Sequence, residues 1–331
     1  MIILNILSNI RLTKNGIECI TGSSTVFLDP KKIRDDSVNF VSHAHIDHLP
    51  SSGTGTILSS SVTSKIAELR GYTLENSTET LENFTLVDSG HIFGSMGLLF
   101  DDIFYTGDIS LRDRGFLKGA KIPKCKTLIM ECTFGLPEFV LPPVDDVVKQ
   151  VNEIISNLYS KGKPIILLGY ELGKAQTISQ LFNDWEPVFY HDSVKKMNDL
   201  HRSLGVPLKE AMGHTEAESK GLLDKKPWIM IAPMMSAKNN FIKYMKLKYD
   251  AITIGFSGWA KSTKFGFSRG TDYSIPLSDH CDYNELLELA KRSEAEKIFT
   301  IHGFVDEFSK DLNRLGFCAQ PLREASLDNF F

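Results

Sequence analysis

Cysteine is scarce here: five residues in 331, Cys19, Cys125, Cys132, Cys281 and Cys318, odd in number and with no C-x-x-C spacing. That argues against a disulfide framework and fits the reduced thiols of a cytoplasmic protein. Long apolar runs are also missing. None approaches the roughly 18 residues that a membrane helix needs, so no membrane partner is expected. The opening MIILNILSNIRL is briefly apolar but has no basic leader and no small-residue cleavage site, and reads as a strand rather than a signal peptide. Excess charge of one sign is absent as well. The net charge of −4 does not advertise nucleic-acid binding, which would have to rest on a local basic groove. No internal repeat and no low-complexity tract is present.

What remains is the composition of an ordinary soluble globular protein, 42% hydrophobic and 24% charged, with a length that suggests two domains. Residues 1 to about 135 read as short strands joined by turns, among them Thr25 to Leu28, Phe84 to Val87, and a pair running Gly97–Phe100 and Ile103–Thr106 across Asp101-Asp102. Val62 to Leu69 is the clearest helix there, and Leu128 to Met130 reads as a buried strand ending at Glu131. Beyond Pro142-Pro143 the texture changes. Val147 to Leu158 has apolar residues at helical spacing, and strand-like runs then alternate with helices. That alternation predicts a parallel α/β unit with helices on both faces. After about 275 a helix (284–291), a strand (298–301) and a second helix (306–315) follow.

The stretch VSHAHIDHLP carries the most chemistry. His43, His45, Asp47 and His48 follow the strand-like run Val38–Val41, so they are expected where a strand ends. In extended chain, residues two apart project to one side, which lets His43 and His45 close on one metal. Asp47 and His48 lie where the backbone turns and can serve a second ion. Imidazole with carboxylate suits zinc, and manganese or iron accept overlapping ligand sets. Chance clustering or a helix cap at Asp47 is the bland alternative, but four such residues within six positions have no joint structural use.

More ligand-type residues recur at predicted strand ends: Asp29 in TVFLD, His91 in SGHIFGS, Asp108 in YTGDIS and His302 in TIHGF. Alone, each histidine would be a core or surface residue and Asp108 a turn residue. Gly90, Gly107 and Gly303 beside three of them permit tight turns that aim side chains at one point.

These residues, in this order, resemble the metallo-β-lactamase superfamily. MECTFG, LSDHCDY and TIHGF, together with LGYELGKAQ and GFSGWA, are similar to motifs of its β-CASP nuclease branch. The nearest group is the predicted messenger-RNA 3′-end processing factor and ligase-associated exonuclease family. The resemblance implies an αββα four-layer sandwich with an inserted β-CASP α/β domain. The expected boundaries are a first part at 1–138, the insert at 139–274 and a C-terminal part at 275–331. Cys132 and Cys281 fall within these motifs and are read as buried small hydrophobes.

The same resemblance implies the site. His43, His45, His91 and Asp108 would hold one zinc. Asp47, His48, His302 and the shared Asp108 would hold another, with Asp29 bracing them. The implied reaction is two-metal phosphodiester hydrolysis with Asp47, His280 and Glu131 as catalytic residues, His280 being the general acid and Glu131 orienting its ring. His302 at the last motif is the RNA-type residue, so single-stranded RNA is favoured over DNA as partner. A DNA exonuclease and a noncatalytic nucleic-acid-binding subunit are the alternatives, and a homodimer is left open. Substrate contacts are expected from Lys174, at a predicted helix start, and from Lys261, Lys264 and Arg269, interleaved with Trp259, Phe265 and Phe267.

Overall fold

The computed structural model describes residues 9–22, 24–261 and 270–324. The chain divides into two units, one made of Met1–Arg112, Gly119–Pro137 and Tyr283–Phe331, the other of Asp113–Lys118 and Glu138–Asp282.

In the first unit, β1 (Asn9–Thr13), β2 (Gly16–Thr21), β3 (Ser24–Leu28), β4 (Val38–Phe40), β5 (Ile57–Leu58) and β6 (Ser77–Thr78) form one sheet in sequence order. The first three run antiparallel and the later pairs parallel. Helix α1 (Ser61–Leu69) is capped by Ser60, whose side chain accepts the Thr63 N–H, and buries Thr63, Ile66 and Ala67 beside β6. A second sheet begins with the antiparallel β7 (Thr85–Asp88), β8 (Met96–Phe100) and β9 (Ile103–Tyr105). Asp101 and Asp102 join β8 to β9, both at positive φ, as a two-residue hairpin loop on right-twisted strands requires. Strand β10 (Thr127–Cys132) then adds parallel to β9.

The second unit is a parallel six-stranded sheet. Its elements are α2 (Val144–Ser160), β11 (Ile165–Gly169), α3 (Lys174–Leu181), β12 (Val188–Tyr190), α4 (Asp192–Ser203), β13 (Met212–Gly213), α5 (His214–Ser219), β14 (Ile229–Pro233), α6 (Asn240–Tyr249), β15 (Ile252–Phe256) and β16 (Tyr273–Ile275). The strand order is β13-β12-β14-β11-β15-β16. Side chains alternate between faces. Ile165 and Leu167 pack with Val147, Val151, Ile155 and Ile178, whereas Ile166 and Leu168 pack with Ala217, Ile242, Met245 and Tyr249. Both faces are covered, as expected of an all-parallel sheet.

The chain then returns to the first unit with α7 (Tyr283–Ser293), β17 (Lys297–Gly303), α8 (Val305–Arg314) and β18 (Ala319–Pro321). The second sheet is thereby completed in the order β18-β17-β10-β9-β8-β7. Phe40, Leu28, Val26 and Leu58 of one sheet meet Leu98, Tyr105, Ile129 and Ile301 of the other in a single core. Each of these side chains contributes about 1.5–3 kcal/mol on full burial. Helices flank both sheets, α1 at β6 and α7 and α8 at β10 and β17, which makes the unit a four-layer αββα sandwich.

The return to the first unit comes at Tyr283 rather than at the expected 275. Residues 275–282 stay with the second unit because β16 pairs with β15, Lys174 Nζ donates to Leu277 O (2.9 Å), and Asp282 Oδ2 accepts the Leu141 N–H (2.9 Å).

Candidate metal centre

The metal-type residues of the first unit collect where strands end. β4 stops at Phe40, and a 3-10 turn over Ile46–His48 follows, closed by the His48 N–H donating to His45 O at 3.1 Å. His91 lies in the loop between β7 and β8. Asp108 follows β9 through Gly107, whose φ of +54° and Cβ-excluding approach to Ser42 (2.8 Å for an added Cβ) leave glycine as the residue that fits. His302 occupies a bulge. Glu131 pairs with Ile301 but Cys132 pairs with Gly303, so His302 is the extra residue, at φ +53°.

Four donor atoms converge. His43 Nε2 is 3.0 Å from His45 Nδ1 and 3.5 Å from Asp108 Oδ2, while His91 Nε2 is 3.2 Å from His45 Nδ1 and 3.6 Å from Asp108 Oδ2. The edge of a tetrahedron is about 1.63 times its centre-to-vertex distance, so zinc with ligands at roughly 2.0–2.1 Å needs donors about 3.3–3.4 Å apart. The four spacings straddle that value. His43 and His91 are buried and His45 partly so, and one anionic plus three imidazole donors is a zinc set. The residues fit the ion.

The tautomers fit as well. Asp29 Oδ1 accepts the Ser42 N–H (2.7 Å), and its Oδ2 accepts Ser42 Oγ–H (2.7 Å), the Tyr105 hydroxyl (2.7 Å) and His48 Nδ1 (2.8 Å). Ser42 has spent its only proton on Asp29, so it can only accept from His43 Nδ1–H, 2.9 Å away. His43 Nε2 is thus left with a lone pair facing the donor cluster, and the Nδ1 bond of His48 likewise turns its Nε2 toward Asp108 Oδ2 at 3.7 Å. Burial alone would raise the Asp29 pKa, but His48 and Ser42 hold it below the usual carboxylate range. Burial lowers the His48 pKa, but Asp108 and Asp29 outweigh it and push it up to about 10. A field that favours an imidazolium is one that a divalent cation would also satisfy.

The second set is more open. His48 Nε2 lies 3.7 Å from Asp108 Oδ2 and 3.8 Å from Asp47 Oδ2, and its ring centroid is 5.7 Å from that of His302. The Asp47 side chain is 83% exposed. Asp108 Oδ2 is the atom common to both sets. Glu131, fully buried, accepts the Ile109 N–H on Oε1 (2.8 Å) and the Thr133 N–H and hydroxyl on Oε2, so it fixes the backbone next to Asp108.

A family model described as the Zn-dependent metallo-hydrolase RNA specificity domain matches residues 272–312. A probable DNA ligase from Opitutus terrae is 29% identical over 303 residues, which cover 86% of this chain and 29% of that protein. From Methanocaldococcus jannaschii, transcription termination factor FttA is 22% identical over 66% of this chain and 44% of its own length. An RNase J-like protein of the same organism is 24% identical over 68% of this chain and 64% of its own. The chain spans less than two thirds of each of these relatives. A crystal structure of a protein of unknown function from Enterococcus faecalis V583 aligns with a TM-score of 0.63 at 14% identity, covering 96% of both chains, and so shares the fold. The matched domain and these relatives support a place for the chain among the β-CASP nucleases of the metallo-β-lactamase superfamily.

The remaining β-CASP motif residues fall in the second unit. His280 is part-buried, between buried Asp279 and Cys281, with its N–H donating to Ser278 Oγ (2.9 Å). Lys174 corrects the sequence expectation. It does begin α3, but its side chain is 2% exposed, ion-paired to Asp279 Oδ1 at 2.8 Å, and unavailable to a substrate phosphate. Burial lowers its pKa, a shift the Asp279 charge opposes. Lys261 is exposed at the end of a 3-10 turn, and Trp259 packs edge-on to Phe139 at 5.2 Å. Lys264 and Arg269, with Phe265 and Phe267, lie outside the described residues. Sequence reasoning missed Ser42 and Tyr105. Ser42 could have been found as the hydroxyl preceding the first histidine, whereas Tyr105 reads as an ordinary strand residue. Among the described residues no helix is long and apolar enough to cross a membrane.

Proposed function

We propose that the chain is a two-zinc phosphodiester hydrolase, a β-CASP nuclease that cleaves single-stranded RNA or processes RNA ends in the cytoplasm. One observation carries the reading. Three imidazoles and a carboxylate stand at tetrahedral spacing, and the same Asp108 oxygen reaches toward His48 of a second set. Bound there, the two ions would supply Lewis acidity at a phosphoryl oxygen and lower the pKa of water to about 7.

The protein's own groups supply the rest. Asp108 would bridge the two ligand sets. Asp47, open to solvent beside His48, would join the second set and accept a proton from attacking water. Glu131 is a positioning residue, since its carboxylate takes the Ile109 amide and so holds Asp108. By the family resemblance, His280 would give its proton to the departing sugar oxygen.

The RNA reading is supported by the RNA specificity description matched at 272–312 and by the RNase J-like and termination-factor relatives. A second reading, a DNA exonuclease acting in repair, is favoured by the relative described as a probable DNA ligase, which matches over 86% of this chain. A noncatalytic binding subunit fits poorly, because every ligand position is filled. End-labelled single-stranded RNA and DNA, incubated with the protein with and without chelator, separate the three. Chelator-sensitive loss of RNA is expected. Loss of DNA alone would move the protein to the second reading, and loss of neither to the third.

A further inference from the structure

Lys174 is a buried cation that the proposed chemistry does not use, and the reason for its burial lies one residue from His280. Its Nζ meets Asp279 Oδ1 at 2.8 Å and donates to Leu277 O at 2.9 Å. A second buried cation, Arg114, approaches the same Asp279 oxygen at 3.9 Å from the short segment Asp113–Lys118. Asp279 is itself buried, and burial would raise its pKa, but Lys174 and Arg114 hold it below the usual carboxylate range. Further along, Asp282 Oδ2 takes the Leu141 N–H at 2.9 Å. Leu277, Ser278, Asp279, Cys281 and Asp282 are all buried, and His280 is the member of this strap that is not.

Burying charge is costly and adds little stability by itself. A buried pair is better explained by specificity of geometry, and removing one partner strands the other. We propose that Lys174 is a positioning residue for His280, with Lys174 and Arg114 clamping Asp279 so that the 277–282 strap presents one imidazole in a fixed place. The assignment rests on the reading of His280 as general acid. It also accounts for a lysine placed at the start of α3 yet turned into the protein: it grips Leu277 and Asp279 rather than a ligand.

The test is a double-mutant cycle with end-labelled single-stranded RNA and DNA oligonucleotides, backed by hydrogen exchange of the peptide covering 277–282. Lys174→Met is expected to lower kcat by up to about 100-fold, the cost of small misplacements, with KM and metal content unchanged. Lys174→Arg should recover most of it. In a His280→Ala background Lys174→Met should cost nothing further, since it acts through the missing ring. Exchange in the strap should quicken in Lys174→Met.

If His280→Ala is slow and the double variant is slower still by the full Lys174→Met factor, the positioning role is overturned and the acid role stands. If His280→Ala cleaves at full rate, the acid role falls and takes this inference with it. Unchanged exchange in the strap overturns the inference whatever the cleavage result. Should Lys174→Met not fold, Asp279→Asn replaces it in the cycle and is expected to give the same kcat loss.

Discussion

Asp29 sets the protonation of His43 through the Ser42 hydroxyl that stands between them. The Asp29 carboxylate takes the Ser42 proton, and Ser42 then accepts from His43 Nδ1. Asp29 holds His48 by a direct bond of 2.8 Å. One buried carboxylate thus orients an Nε2 atom from each ligand set toward Asp108. Asp29→Ala should weaken metal binding at both positions by roughly 10–100-fold, as loss of an outer partner does. Chelator competition measures it, and an unchanged affinity would discard the relay.

Asp108 and His91 should behave differently on replacement. Asp108 Oδ2 is within 3.7 Å of His43, His91 and His48, whereas His91 belongs to one set. Elemental analysis of Asp108→Ala is expected to find both ions lost or much depleted. His91→Ala should retain the ion at the Asp47–His48 side. Equal stoichiometry in the two variants would count against a shared carboxylate.

Gly303 follows His302 at φ +79°, and an added Cβ would stand 2.4 Å from Cys132 O and 2.5 Å from Thr133 Cα. The Cys132 thiol donates to His302 O at 3.0 Å across the same bulge. Gly303→Ala is expected to cost on the order of 1–3 kcal/mol and to displace His302, lowering activity more than it lowers metal at His43, His45 and His91. Thermal melts and cleavage rates read the two effects separately. A variant as stable and as active as the parent would show that the bulge is not needed.

His201 gives the second unit a pH dependence of its own. Burial pushes its pKa down to about 4, against the ordinary 6.5. Because the folded pKa lies below the unfolded one, the unfolded chain binds the extra proton between these values. Stability is therefore full above pH 6.5 and falls as pH drops toward 4, by about 3 kcal/mol for this group. Denaturant melts of His201→Phe should show a shallower slope over that window. A slope identical to the parent's would remove His201 as the cause.

Much of this was legible in the sequence for a simple reason. His43, His45, Asp47 and His48 are neighbours in the chain, and the αβ alternation after Pro142-Pro143 is local too. What escaped was decided at long range. Lys174 stands beside a glycine at a helix start, as a phosphate-binding lysine would, and only its far-off partner Asp279 shows that it points inward. The second unit extends past residue 274 because of hydrogen bonds from Lys174 and Leu141, neither of which leaves a mark on residues 275–282 themselves. Tyr105 looks like any aromatic in a strand until its hydroxyl is seen on Asp29.

β10 and β17 lie side by side in one sheet, although Glu138–Asp282, the larger segment of the second unit, is encoded between them. Synthesis runs in one direction, so on the ribosome the interposed parallel sheet can close while its host still lacks a central strand. His43, His45, His91 and Asp108 precede Glu138–Asp282 in the chain, and His302 follows it. The His48–His302 side of the cluster is therefore completed only after the inserted parallel sheet has been made.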